Sequence, residues 1–182
     1  ANGCVELGSL SIIVSATQIP ASFSRSFAKC DDFLDSFGNN NANNNDRDGI
    51  AGFNFSSVTA DVTALLPATA SFTIKYYKNG IDAAVETDAS GNSLEISQNP
   101  ADPNSIFNYR NIGYPNQQAI WIRVKSTLDN SCYALGPYIQ LTVEALPVLD
   151  EITPGNVIRE CDDNHDGDFL FDTSALDSAL LN

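Results

Sequence analysis

Apolar and polar residues alternate in three stretches of the chain, at residues 71–77, 119–125 and 138–144. In the second stretch, Ile120, Ile122 and Val124 fall on one face, while Trp121, Arg123 and Lys125 fall on the other. A period of two residues is typical of strands with one buried face. The pattern therefore predicts three strands, and Phe53 and Phe55 indicate a further one.

The segments between these strands carry the signals of turns and short helices. Asn79-Gly80 predicts a tight turn, and residues 126–137 predict a hairpin with Cys132 near its tip. Residues 98–117, rich in Asn, Pro and Gly, predict a long surface loop. Helical turns are expected at 59–66 and 173–181. About seven short strands with such turns predict an all-β fold, an immunoglobulin-like β-sandwich.

Two segments of the sequence occur twice, in the same order. The segment around Cys4 matches the segment around Cys132, and the acidic segment after Cys30 matches the one after Cys161. The spacing in both cases is about 130 residues, the length of a domain. We therefore predict the C-terminal strand of a preceding repeat at 1–16, a complete repeat at 17–146 and the start of a following repeat at 147–182. The alternative is one domain with chance similarity.

Both acidic segments resemble the first half of a calcium-binding loop. Oxygen-bearing side chains alternate along each segment and a glycine follows them, at Gly49 and at Gly167. Such side chains converge on one hard cation, and the glycine permits a sharp turn. The twelfth position of the second loop is Thr173 rather than a bidentate Glu, so Asp168, Asp172 or an acid from elsewhere would complete that shell. The predicted calcium ligands are Asp162, Asn164, Asp166 and Asp168 in the second copy, and Asp31, Asn44, Asp46 and Asp48 in the first.

An Asn-rich insert at 39–45 separates the first acidic loop from its cysteine, unlike the second copy. It leaves open whether Asp31 or Asn44 supplies the first ligand of that loop. The alternative interpretation is that both loops are solvated turns that do not bind calcium.

The charge of the chain limits its partners. The formal net charge is −14, from 23 acidic against 9 basic residues. Nucleic acids and anionic membranes both reward Lys and Arg, so neither is expected as a partner. No run of 18 apolar residues is present, so direct membrane insertion is not expected either. His165, the only histidine, lies inside the second acidic loop between predicted ligands, so we expect a spacer rather than a catalytic base and predict that the chain is not an enzyme.

The four cysteines indicate disulfides and an oxidising, extracellular setting, because none has the CxxC spacing of a zinc site. Two sets of disulfide pairings are compatible with the repeat. Cys30 could pair with Cys132 inside the complete repeat, or Cys4 with Cys30 and Cys132 with Cys161. We favour Cys30–Cys132, since a hairpin tip can meet the start of its own domain in a sandwich.

The order of motifs resembles a known group of bacterial proteins. The order is Cys-Asp-Asp…Asp-Gly-x-x-x-Phe-Asn/Asp, then Thr-Ile-x-Tyr-Tyr, Ile-Trp-Ile-Arg-Val and Ser-Cys-Tyr…Leu-Thr-Val. It resembles repeats in large surface proteins of gliding Bacteroidetes and Flavobacteria, exported by the type IX secretion route. The resemblance covers the chain from Cys4 to about Asp172 and implies architecture and location rather than a ligand.

We therefore expect a structural or adhesive repeat of a cell-surface adhesin or extracellular filament, stiffened by calcium and disulfides. Its expected partners are neighbouring repeats, or identical chains head-to-tail, with surface glycans as a further partner. The alternative is a carbohydrate-binding module of a secreted enzyme. Trp121, Tyr76 and Tyr77 could serve such a module as a sugar platform, but we favour a place for them in the core.

Overall fold

A computed structural model of the chain describes residues 18–68, 71–127 and 133–146. Within them lie a four-stranded sheet, a two-stranded sheet and two short helices. The all-β class is confirmed. In chain order the elements are β1 Arg25–Cys30, β2 Gly52–Phe53, α1 Val58–Leu65, β3 Phe72–Tyr77, α2 Gly80–Val85, β4 Tyr109–Arg110, β5 Gln117–Ser126 and β6 Tyr133–Glu144.

The larger sheet has the order β1-β6-β5-β3. β5 and β6 form the predicted antiparallel hairpin, and β3 pairs with the other edge of β5. The side chains predicted to face inward from β5 are fully buried. β1 runs parallel to β6, with Arg25 opposite Ile139 and Cys30 opposite Glu144. This register fixes Cys30 at the end of β6 where that strand finishes.

A second layer covers the inner face of this sheet. It consists of α1 and the short β2–β4 pair, rather than a second full sheet within the described residues. An immunoglobulin-like sandwich is therefore not established by the described strands. The ring of Phe55, just after β2, lies against Phe27, Tyr76 and Tyr109 at centroid distances of 6.4, 5.8 and 5.6 Å. Aromatic packing between the layers thus forms the centre of the core.

Two predictions about the connecting segments are wrong. Asn79-Gly80 begins α2 instead of a tight turn, because the Asn79 Oδ1 accepts a hydrogen bond from the backbone N–H of Asp82 (2.9 Å) and caps the helix. The glycine is needed for packing, since a Cβ there would lie 2.8 Å from the ring of Trp121. Residues 98–117 are not simply a surface loop, because they include β4 and the buried Ile106.

Other predictions agree with the structure. The helix expected at 59–66 is α1, whereas the one at 173–181 lies outside the described residues. Tyr76 and Tyr77 are fully buried, which confirms their place in the core and removes them from any sugar platform. Burial raises the pKa of Tyr76 to about 12, and its hydroxyl still finds a partner in Thr59 Oγ1 at 2.8 Å. Trp121 is half-buried.

The chain divides into two compact units, Ala1–Glu144 and Ala145–Asn182. All described residues except 145 and 146 belong to the first. The three-part division at 1–16, 17–146 and 147–182 stays a prediction, and its outer parts lie outside the described residues. Among the described residues, no helix combines the length and apolarity needed to cross a membrane.

Candidate metal loop and cysteine site

Asp31 lies where β1 ends and the acidic loop begins. Its backbone N–H donates to the carbonyl of Glu144 (2.9 Å), which holds it at the end of β6. The side chain is only 5% exposed. Its Oδ2 accepts a hydrogen bond from the backbone N–H of Gly49 (2.7 Å), but its Oδ1 is buried without a hydrogen-bond partner in the described structure. A buried carboxylate oxygen without a partner is costly.

The electrostatic surroundings of Asp31 add to this cost. Burial raises the pKa of Asp31 above its usual value, and the negative charges of Asp48 and Asp32 raise it further. The hydrogen bond from Gly49 acts in the opposite direction without reversing the shift. A cation beside Oδ1 would offset both the burial and the repulsion.

The other predicted ligands in the first loop are partly used within the loop. The Asn44 Oδ1 accepts from the backbone N–H of Asn41 (2.8 Å), and its Nδ2 donates to Asn40 Oδ1 (2.7 Å). Asp46 lies 3.9 Å from Arg47 Nε. The Asp48 Oδ1 accepts from the backbone N–H of Ile50 (2.8 Å). The structure therefore places Asp31 within electrostatic reach of Asp48, while Asn44 closes a turn.

Within residues 18–68, 71–127 and 133–146, no group of three or more His, Cys, Asp or Glu residues is arranged to hold a metal ion. Calcium also accepts amide and backbone oxygens as ligands. The second predicted set, Asp162, Asn164, Asp166 and Asp168, lies outside the described residues, as do His165 and Thr173. Calcium binding stays a prediction.

Gly49 has the backbone conformation that the loop motif requires. Its φ is +71°, and a Cβ there would lie 2.7 Å from Asn116 Oδ1. The Asn116 N–H donates to the Gly49 carbonyl (3.0 Å), and the Asn116 carbonyl accepts from Val143 N–H (2.7 Å). The end of the loop is thereby fixed to β6, on the same side as Asp31.

Two residues that sequence reasoning missed hold the Asn-rich segment in place. Asp35 is buried and accepts hydrogen bonds from the backbone N–H of Asn39 (2.7 Å) and from Asn41 Nδ2 (2.6 Å). These bonds, that from Asn39 first, lower the pKa of Asp35. Arg110 pairs with Asp32 (Nη1–Oδ2 2.7 Å) and donates to the carbonyl of Asp35 (3.2 Å). The only sequence signal for this fixed loop is an Asp preceding a run of Asn.

Cys30 is exposed at the end of β1 and is the one cysteine among the described residues. The register sets it beside Glu144, the last residue of β6. Cys132 lies outside the described residues; in the sequence it directly precedes Tyr133, the first residue of β6. A strand of 12 residues spans roughly 35 Å, whereas disulfide-bonded residues have Cα atoms within about 7 Å. The favoured Cys30–Cys132 pairing stays a prediction.

Comparison with known proteins gives one match. The model of a family described as the Flavobacterium inter-domain disulphide bond domain matches residues 26–147. The match supports a flavobacterial origin. None of the curated proteins and none of the solved structures matches the chain.

Proposed function

The chain belongs to the family of Flavobacterium inter-domain disulphide bond domains, and from this premise we propose that it is a non-enzymatic structural repeat of a cell-surface adhesin or extracellular filament. The family description fits an extracellular structural domain linked to its neighbours. Export by the type IX route and a part in adhesion or gliding belong to the same proposal. They are supported by the resemblance of the sequence motifs.

The observation that carries this proposal is the position of Cys30 at the end of β1, beside the last residue of β6. Cys30 is exposed beside Glu144, and Cys132 is bonded to Tyr133 at the start of the strand. The length of β6 lies between Cys30 and Tyr133, and this separation suits bonds to two different neighbouring domains better than a bond across one domain. Cys4–Cys30 and Cys132–Cys161 are the pairings of this kind within the chain.

Peptide mapping under non-reducing conditions tests the proposal. We expect oxidised protein to yield the linked peptides Cys4–Cys30 and Cys132–Cys161, which separate after reduction. The variant Cys30→Ser should lose the first linkage and keep the second. Recovery of Cys30 linked to Cys132 would show that the bond staples a single domain, and would overturn the proposal.

We further propose that the first acidic loop binds calcium, with Asp31 as its innermost ligand. The support is the buried, unpartnered Oδ1 of Asp31 next to the charge of Asp48. Asp46 and Asp48 are partly exposed and could turn toward the same ion. A bound calcium ion would supply the positive charge that this cluster lacks. The bound ion would therefore make the end of β6 more rigid.

The variant Asp31→Asn should separate calcium binding from simple burial. In chelator, we expect its melting temperature to equal or exceed that of the wild type, because an amide oxygen can still accept from Gly49 while the buried charge is removed. With calcium at about a hundredfold excess over Kd, the wild type should gain roughly 2.7 kcal/mol, and the variant should gain little. Thermal melts of both proteins measure this, and Asp61→Asn, at an acid outside the loop that pairs with Arg25 (2.7 Å), is the control for the gain in calcium.

The sign of the pH dependence follows from the raised pKa of Asp31. Without metal, its contribution to stability is full below the unfolded pKa, near 3.8, and is lost as pH rises through the higher pKa of the folded state. Calcium should reverse this trend. Equal melting temperatures of the wild type in calcium and in chelator would contradict the calcium proposal without affecting the disulfide proposal.

A further inference from the structure

An open groove of about 900 Å³ runs along one face of the domain, between β1 and the segment that carries β2 and β4. We call it the amide groove. Two exposed rings, Phe37 (72% exposed) and Phe107 (37% exposed), are part of its wall. Its other polar and charged lining residues are Asn54, Asn104, Asn108, Lys29 and Arg110. A groove of this size is within the range of small-ligand sites.

Internal hydrogen bonds fix the orientation of the three asparagines. The Asn54 Oδ1 accepts from the backbone N–H of Ser56 (3.1 Å), the Asn108 Oδ1 from that of Ser105 (2.9 Å), and the Asn104 Oδ1 from that of Arg110 (2.6 Å). A backbone N–H can only donate, so the accepting atom must be the oxygen in each case. Their Nδ2 groups have no partner among the described residues. Each of these three groove-lining residues therefore keeps an amide donor whose direction is set by the bond that its oxygen accepts.

The charge of the groove differs from that of the chain. No Asp or Glu is among its lining residues, although the chain carries 23 acidic residues against 9 basic ones. Arg110 is neutralised by Asp32. Lys29 has no ion pair in the described part of the chain and supplies a positive charge. The lining therefore carries no negative side chain that would repel an anion. The groove suits a ligand that has negative charge and many hydrogen-bond acceptors.

We propose that the amide groove binds a short acidic oligosaccharide, one whose sugars carry carboxylates. Sugar rings have apolar faces that pack on exposed aromatic rings such as Phe37 and Phe107. Their hydroxyl and carboxylate oxygens accept hydrogen bonds from amide donors, and the carboxylate also pairs with an ammonium. A glycan uses both the rings and the donors, whereas an acidic peptide would also need acceptors for its backbone N–H groups. Only the biological role of this binding, and not the binding itself, depends on the proposed location at the cell surface.

Calorimetric titration of the full chain with trigalacturonate, and with neutral maltotriose for comparison, tests the proposal. We expect trigalacturonate to bind. Its affinity should fall as the concentration of sodium chloride is raised, because screening reduces the contribution of Lys29. In the variant Asn108→Asp, the retained oxygen still accepts from Ser105, while the donor becomes a negatively charged acceptor. Its affinity should fall about tenfold or more, the loss of a hydrogen bond plus repulsion. The variant Lys29→Gln should remove the salt dependence.

The matched control is Asn45→Asp, because Asn45 also accepts a backbone N–H through its Oδ1 (from Arg47, 3.1 Å) but does not line the groove. It should bind trigalacturonate like the wild type. Three results would overturn the proposal: no binding of trigalacturonate, equal loss in Asn45→Asp and Asn108→Asp, or tighter binding of a hexaglutamate peptide to the same residues. None of them bears on the disulfide mapping, so the two proposals fail separately.

Discussion

Replacement of Phe55 by alanine should lower the free energy of unfolding by about 3–5 kcal/mol, the range for large aromatic side chains deleted from a core. Phe55 is fully buried. Its ring contacts rings from β1, β3 and β4, and so joins both layers of the domain. The cavity could not be filled by one neighbour, because the surrounding side chains are held on three different strands. Urea unfolding followed by the fluorescence of Trp121 measures the loss.

A matched control for this prediction is Phe33→Ala, since Phe33 is 65% exposed. Its loss should change the free energy of unfolding by about 0.5 kcal/mol or less. If Phe55→Ala cost no more than Phe33→Ala, the described core would be wrong. An unchanged denaturant slope in both variants would show that stability changed without a change in the surface exposed on unfolding.

The second large effect is expected at Arg123, a cation only 8% exposed on β5. Its Nη1 donates to the carbonyl of Ala83 (2.8 Å) at the end of α2, and its Nη2 lies 3.3 Å from Glu86 Oε2. Its guanidinium also lies 3.9 Å from the ring centroid of Tyr133. The variant Arg123→Met should cost about 2–3 kcal/mol, because it leaves the carbonyl of Ala83 without this donor and removes the ion pair with Glu86, which keeps its contacts with Tyr77 and Lys75. Solvent screening reduces the contribution of the ion pair between Arg123 and Glu86, since the Glu86 side chain is 28% exposed.

Hydrogen exchange separates this variant from a general loss of stability. The amides of α2 should exchange faster in Arg123→Met than the change in global unfolding requires, because the arginine holds that helix on β5. The control is Lys125→Met, two residues along the same strand and on the same face, which should change both readouts little. Equal exchange rates for α2 in the two variants would contradict the assigned role of Arg123.

The parts of the fold that sequence could predict are those decided by local periodicity. The alternation along β5 identified Ile120, Ile122 and Val124 as buried, and it could do so because a strand has only two faces. The prediction of a tight turn at Asn79-Gly80 was wrong, because the same dipeptide can also cap a helix, and the close approach of Trp121, on another strand, to Gly80 is not visible in the local sequence. The burial of Ile106 and Tyr109 likewise depends on contacts distant in sequence.

The candidate site shows the same division. Spacing identified Asp31, Asp48 and Gly49, and the structure brings these three together. Spacing could not show that Asn44 closes a turn or that Asp35 and Arg110 hold the insert, because those bonds cross the Asn-rich segment or reach β4. The pairing of the cysteines could not be predicted from the sequence for a similar reason. The direction of β1 relative to β6 decides which end of the domain Cys30 occupies.

The parallel register of β1 on β6 has a mechanical consequence. Tension applied between Cys132 and Cys30 would enter at the start of β6 and leave at the end of β1. The ladder of six residue pairs that joins β1 to β6 would carry part of this load to Cys30. The hydrogen bonds of a parallel ladder are evenly spaced, and such a pull would shear them together rather than break them one after another. A domain tethered at these two cysteines would therefore resist stretching until the whole ladder yields at once.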